Sequence, residues 1–184
     1  MKHIMLSVRP EWVEKILNGE KTIEIRKTMP KCELPCKVYI YCTKDKNTAC
    51  IVNQNNSFLY KTTNIDCIHI FGDGYLGNGK VVTEFTLNEI TIHKKNYIDI
   101  EDNLCYNFLT DDVKKAGFII GNDDVENFNG LCDFNDFVEE YGKGKDLYAW
   151  HIDNLEIYDK PKELSEFGLK RPPQSWCYIE GGVQ

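Results

Sequence analysis

The spacing of apolar positions divides the chain into short elements. Met5-Leu6-Ser7-Val8 reads as a strand that stops at Pro10. In the following segment, apolar residues at 12, 13, 16 and 17 fall at helical intervals, and Pro10 suits the first helical turn. Gly19 is a natural helix stop. Lys21 to Lys27 alternates, with Ile23 and Ile25 on one face and Thr22, Glu24 and Arg26 on the other, which predicts a strand with one buried face. Cys36 to Thr43 is strongly β-prone. A polar stretch rich in Asn, Lys and Thr follows, and Gly72, Gly74, Gly77 and Gly79 punctuate a loop. Lys80 to Leu87 predicts another strand, and irregular β-structure continues from Asn88 to Tyr97.

Residues 99–146 are acidic and predict helix in pieces, one starting at Thr110 and another from Asp133 to Tyr141, closed by Gly142. Leu147 to Ile152 and Leu155 to Tyr158 read as strands, and the chain ends in a short strand near Trp176. Short strands with helices between and around them predict an α+β fold around a small mixed β-barrel or strongly bent sheet. No internal repeat marks a second domain, so 1–184 reads as a single domain with an acidic, partly helical insertion.

Composition narrows this picture. With 184 residues, 42% of them hydrophobic and 12% aromatic, the chain can bury a core and is not a disordered segment. No apolar run approaches the roughly 18 residues of a membrane span, and Arg9 and Glu11 interrupt any signal-peptide core, which predicts a soluble, cytoplasmic protein. Eight cysteines without that secretory context read as reduced thiols. Cys32, Cys36, Cys67 and His69 could assemble a zinc site, but their loose spacing lacks a paired knuckle. No metal and no cofactor is expected.

Net charge is −7, unevenly distributed: residues 1–80 carry 12 basic and 8 acidic side chains, residues 81–184 carry 10 and 21. This disfavours sequence-blind coating of a nucleic acid but leaves room for a local anion site in the first segment. The densest chemistry there is Gly19-Glu20-Lys21-Thr22-Ile23-Glu24-Ile25-Arg26. Arg26 offers a planar fork for carboxylate, phosphate or a base edge; Glu24 can accept from an amide or amino group; Lys21 is a cation at a turn. From spacing alone the three also read as an ordinary ion pair on an exposed strand with a solvated lysine.

Further candidates are Ser7 on the first strand, His151 beside Trp150, and Gln174 and Trp176 next to the Pro172-Pro173 step. Trp176 and Tyr178 could stack on a base or close a hydrophobic core.

The pattern Gly-x-Lys-x-x-Glu-x-Arg, after a short strand and a helix, resembles the signature of the ASCH domain family of the PUA-like superfamily. The start Leu6-Ser7-Val8-Arg9-Pro10 and segments around Val38–Thr43, Gly79–Phe85 and Tyr148–Ile152 are similar to it as well. Tyr158–Leu164 and Arg171–Trp176 resemble a subgroup found in phages and prophages. The resemblance implies a PUA-like β-barrel whose cleft is lined by the signature residues, and RNA or nucleotide-like ligands. Some ASCH proteins are amidohydrolases acting on N4-acetylcytidine, using the signature lysine, a threonine three residues later and a distant glutamate. Here Lys21 matches, the threonine position holds Glu24, and no counterpart of the glutamate is placed.

Three readings follow. The first is an RNA- or modified-nucleotide-binding domain with ligand contacts from Ser7, Lys21, Glu24, Arg26, His151, Gln174 and Trp176. The second is a hydrolase on nucleosides or RNA, with Lys21 and Glu24 as a general acid/base pair and Arg26 holding a phosphate. The third is a protein-interaction module using the acidic half, with an unknown protein partner.

Overall fold

The structure, a computed structural model, describes residues 2–70, 72–98, 104–106, 110–117, 134 and 136–180. Most of the expected acidic insertion over 99–146 lies outside them. The chain forms two compact units. Unit 1 contains residues 1–19, 32–88 and 153–184, and unit 2 contains 20–31 and 89–152. The structure is mixed α+β, mostly sheet, and among the described residues the sheets are open; no closed barrel is formed. No helix in the described residues is long and apolar enough to cross a membrane.

In chain order the strands are β1 (Lys2–Val8), β2 (Ile23–Arg26), β3 (Cys36–Cys42), β4 (Thr48–Val52), β5 (Phe58–Lys61), β6 (Tyr75–Leu76) and β7 (Val81–Leu87). They continue as β8 (Ile90–His93), β9 (Lys95–Ile98), β10 (Leu104–Tyr106), β11 (Leu147–His151), β12 (Asp153–Lys162) and β13 (Trp176–Glu180). The helices are α1 (Pro10–Leu17) and α2 (Thr110–Lys115), and a further helical run covers 136–142.

Unit 1 is built on a five-stranded sheet in the order β12-β7-β3-β1-β13. Within it, β1 and β3 run parallel, with Leu6 opposite Ile40. The remaining pairs are antiparallel. Tyr39 and Phe167 meet at 4.9 Å between ring centroids, in a cluster with Met5, Tyr41, Val81, Tyr158 and Ile179. Helix α1 starts where Pro10 fixes the first turn and buries Pro10, Val13, Ile16 and Leu17. It packs against β4 and β5 of a second, three-stranded sheet, β5-β4-β6. That sheet lies in the stretch whose sequence predicts only loop. Thr48-Ala49-Cys50-Ile51-Val52 is buried along its whole length, so it has no alternation to betray it.

A carboxylate lies inside the unit 1 sheet. Glu84 on β7 stands opposite Tyr39 on β3 and Glu156 on β12. It accepts from the Tyr158 hydroxyl at 2.6 Å and pairs with Lys37. Burial alone would raise its pKa, but the Lys37 ammonium and the Tyr158 hydroxyl prevail and hold it below the usual carboxylate range. Burial first, and then Glu84, pushes the Tyr158 phenol upward, so it stays a donor.

A depressed carboxylate stabilises the fold above its unfolded pKa and loses that contribution as pH falls through the folded value. Tyr158→Phe should therefore destabilise unit 1 by about 1.5–3 kcal/mol near neutrality, the usual worth of a hydrogen bond to a charged group. Urea unfolding should show the gap from wild type narrowing as pH drops below the carboxylate range. A gap that stays constant into acid would refute the role assigned to ionised Glu84.

A buried Lys21–Glu24–Arg26 network

Unit 2 contains the sheet β2-β11-β8, in which β2 is an edge strand. Its alternating sequence predicts one wet face, yet all four residues of β2 are buried. Ile23 and Ile25 join Leu147, Ala149, Val113, Ala116, Phe134 and Val138 in a core cluster. The charged residues are also enclosed: Lys21, Glu24 and Arg26 are 5%, 7% and 8% exposed. This overturns the picture of an exposed ion pair with a solvated lysine.

Glu24 joins the two cations. One carboxylate oxygen lies 2.8 Å from Arg26 Nη2, the other 3.3 Å from Lys21 Nζ. Lys21 also donates to the Ala116 carbonyl at 3.1 Å, just past the end of α2, and the Thr22 N–H donates to the Lys115 carbonyl at 2.7 Å. The last carbonyls of a helix have no partner within it, and a cation beside them is favourable. The end of α2 is thus tied to the start of β2 by one backbone and one side-chain donor.

Arg26 reaches a residue the sequence reading did not single out. The Arg26 guanidinium and the Lys27 backbone both act on the hydroxyl of Tyr141, favouring its charged form. Burial, the largest influence, raises the Tyr141 phenol above its ordinary range; the Arg26 guanidinium opposes this and the Glu24 carboxylate adds to it. Tyr141 stacks on Phe137 at 5.6 Å, and Lys27 Nζ stands 4.5 Å from its ring centroid. The only sequence signal at Tyr141 is its place just before the helix-ending Gly142. Nothing in the linear order joins it to Arg26.

The other candidates divide. On β11, Trp150 is opposite Glu24 and fully buried, while His151 is opposite Ile23. Facing residues of an antiparallel pair share a side and alternate along the strand, so His151 projects to the other side of the sheet from Glu24 and Arg26. Its Nε2 lies 2.8 Å from Thr91 Oγ1. Ser7, Gln174 and Trp176 belong to unit 1. Ser7 Oγ donates to the Pro173 carbonyl at 2.7 Å and lines a cavity of about 660 Å³ with Tyr41, Lys44, Lys170 and Pro173. Gln174 is exposed, and Trp176 lies edge-on to Tyr178 at 5.3 Å beside β1. Cys36, whose Sγ lies 3.2 Å from that of Cys32, is pushed up to about 12 by burial and then by that neighbour.

Fold and site together define a sheet-rich α+β protein with a buried cation–carboxylate–cation network on an edge strand. The chain belongs to the ASCH domain family, whose model matches residues 6–159. The fold is similar to the crystal structure of ASCH from Zymomonas mobilis, with a TM-score of 0.56, 15% identity, and coverage of 97% of this chain and 88% of that one. A tyrosine-to-phenylalanine mutant of the Zymomonas protein aligns with a TM-score of 0.53 and 14% identity over 98% and 92% of the two chains. A serine-to-alanine mutant gives 0.53 and 15% over 97% and 89%. No curated protein matches the chain.

Removing Glu24 alone leaves two buried cations facing each other. Glu24→Gln should destabilise the protein by about 3–5 kcal/mol, whereas replacing all three as Lys21→Met/Glu24→Leu/Arg26→Met should recover most of that loss. Urea titration of the single and triple variants measures both. A single variant as stable as wild type would show that the network is solvated rather than buried.

Proposed function

We propose that the chain binds RNA or a modified nucleotide, and that Lys21, Glu24 and Arg26 form its anion-recognition centre. The buried network is the observation that carries this reading, in a chain of a family associated with RNA binding. Burying charge is costly, so a site that keeps two cations enclosed has already met most of the desolvation that a phosphate contact would demand. Glu24 orients the Arg26 fork and the Lys21 ammonium. A phosphate oxygen takes the place of a Glu24 oxygen and finds donors already aimed. Low local dielectric then strengthens each contact beyond its worth in water. The PUA-like mode of binding and the phage and prophage subgroup belong to this same proposal, supported by the N-terminal motif and by Arg171–Trp176.

A second reading has its own support in the placement of an ammonium beside a carboxylate, Lys21 and Glu24 at 3.3 Å, groups of the kinds that serve as general acid and general base on a nucleoside or RNA substrate. Glu24→Gln would then abolish turnover on a panel of acylated nucleosides and short RNAs.

For binding, fluorescence anisotropy with short single-stranded RNAs at several salt concentrations is decisive. Arg26→Ala or Lys21→Ala should weaken binding roughly tenfold or more across sequences and lower the salt slope by about 1 per lost phosphate contact. Circular dichroism checks that each variant is folded. Unchanged affinity in a folded Lys21→Ala/Arg26→Ala protein would overturn the reading.

A further inference from the structure

Unit 1 carries a feature that the charged network does not use. The edge strand β5 presents Phe58 and Tyr60 at 46% and 54% exposure, two residues apart and hence on one face. Neither ring takes part in a ring–ring or cation–π contact among the described residues. Both line a cavity of about 600 Å³, within the range of small-ligand sites. Opposite Phe58 in the ladder is the buried Ile51, which lines the cavity together with Ile68, His69 and Ile70.

Among the described residues, the lining contains no lysine, arginine, aspartate or glutamate. Its polar members carry amide, hydroxyl and imidazole groups, such as Asn53, Thr62 and His69. Asn53 is fixed in place, its carboxamide oxygen accepting from the Asn55 N–H at 2.9 Å. A pocket lined in this way, with two open aromatic faces, complements the uncharged, planar part of a ligand and not its phosphate. Same-face residues on a strand are roughly 6.8 Å apart, so the two rings can each take a separate, splayed heterocycle.

We propose that Phe58 and Tyr60 form a base-stacking platform that takes the nucleobases of single-stranded RNA or free nucleosides. This rests on the nucleic-acid reading of the chain and adds a site distinct in residues and in chemistry from Lys21, Glu24 and Arg26. The charged network takes phosphate and responds to salt. The platform takes base faces and does not. Because each ring is about half exposed and neither belongs to the buried core, replacing them leaves the core of unit 1 in place.

Two experiments separate this from the reading it rests on. In protein with ¹³C-labelled isoleucine methyls, adenosine, cytidine, guanosine and uridine are titrated in turn. Ring currents from a stacked base should shift the Ile51, Ile68 and Ile70 methyls, and Phe58→Ala/Tyr60→Ala should abolish those shifts. In parallel, a short single-stranded RNA is compared with an abasic oligonucleotide of the same length. Wild type should prefer the RNA by roughly five- to hundredfold per stacked base. Phe58→Ala/Tyr60→Ala should erase that preference and leave the salt slope unchanged, the reverse of Arg26→Ala.

Methyls that stay in place with every nucleoside, or a preference for bases that survives the double variant, would overturn the platform while leaving phosphate recognition standing. A protein that binds no RNA yet shows the methyl shifts would retain the platform and lose the RNA reading. Capture of an apolar peptide on these rings without any nucleoside response would also overturn it.

Discussion

The carboxylate of Glu24 is the constraint on which unit 2 depends. It stands on a four-residue edge strand, where few ladder hydrogen bonds hold the backbone, and it gathers two cations into a space from which water is nearly excluded. A carboxylate in such a place needs those partners, because unpaired burial is far more costly than a surface ion pair is favourable. Each partner then carries the constraint outward. Lys21 ties the strand to the last carbonyls of α2, and Arg26 ties it to Tyr141 on the helical run 136–142. One side chain thereby fixes a strand and two helical segments relative to each other.

Unit 1 solves a related problem differently. Glu84 also sits within a sheet, but it holds one cation and one phenol, Lys37 and Tyr158. Its lysine, however, is about half exposed, at 51% of the side chain. An anion approaching Lys37 meets a hydrated ammonium that has lost little and gains little. An anion replacing Glu24 meets cations already stripped of water. The two carboxylates differ both in partners, two cations for Glu24 against one cation and one phenol for Glu84, and in burial, and on the proposed reading only the enclosed cations of Glu24 are prepared for ligand exchange.

The elements whose apolar pattern is clear were legible in the sequence: β1, α1, β2, β3, β7, β11 and β13 fall where alternation or continuous apolar runs put them. The short strands β4, β5 and β6 were not, since a fully buried five-residue run carries no period and its neighbours are polar. The chemistry of Lys21, Glu24 and Arg26 was legible from residue type and spacing. Their burial was not, because alternation assigns polar positions to solvent, whereas here both sides of β2 are covered. Tyr141 was invisible for another reason: its link to Arg26 is created by folding across more than a hundred residues. The likeness to the Zymomonas fold at 15% identity makes the same point from outside, since many sequences satisfy one pattern of burial and only the site residues can carry function between them.

Folding also redistributes the charge that the linear sequence displays. Read along the chain, the signature strand lies in a basic segment. Read in three dimensions, residues 20–31 join 89–152, and unit 2 holds 10 basic against 16 acidic side chains. Unit 1 is close to balanced, with 12 and 13. The buried cations therefore lie within the more acidic unit, not on a broad basic face. Beyond a Debye length of about 8 Å at physiological ionic strength such a unit repels a polyanion, and only at contact do Lys21 and Arg26 dominate. A ligand that presents one phosphate and then leaves, or that threads a short single strand, satisfies both distances; a long duplex lying across the surface satisfies neither. On the proposed reading, the acidity that argues against nucleic acids in general would act as a filter on length and shape, with affinity left to a few desolvated contacts.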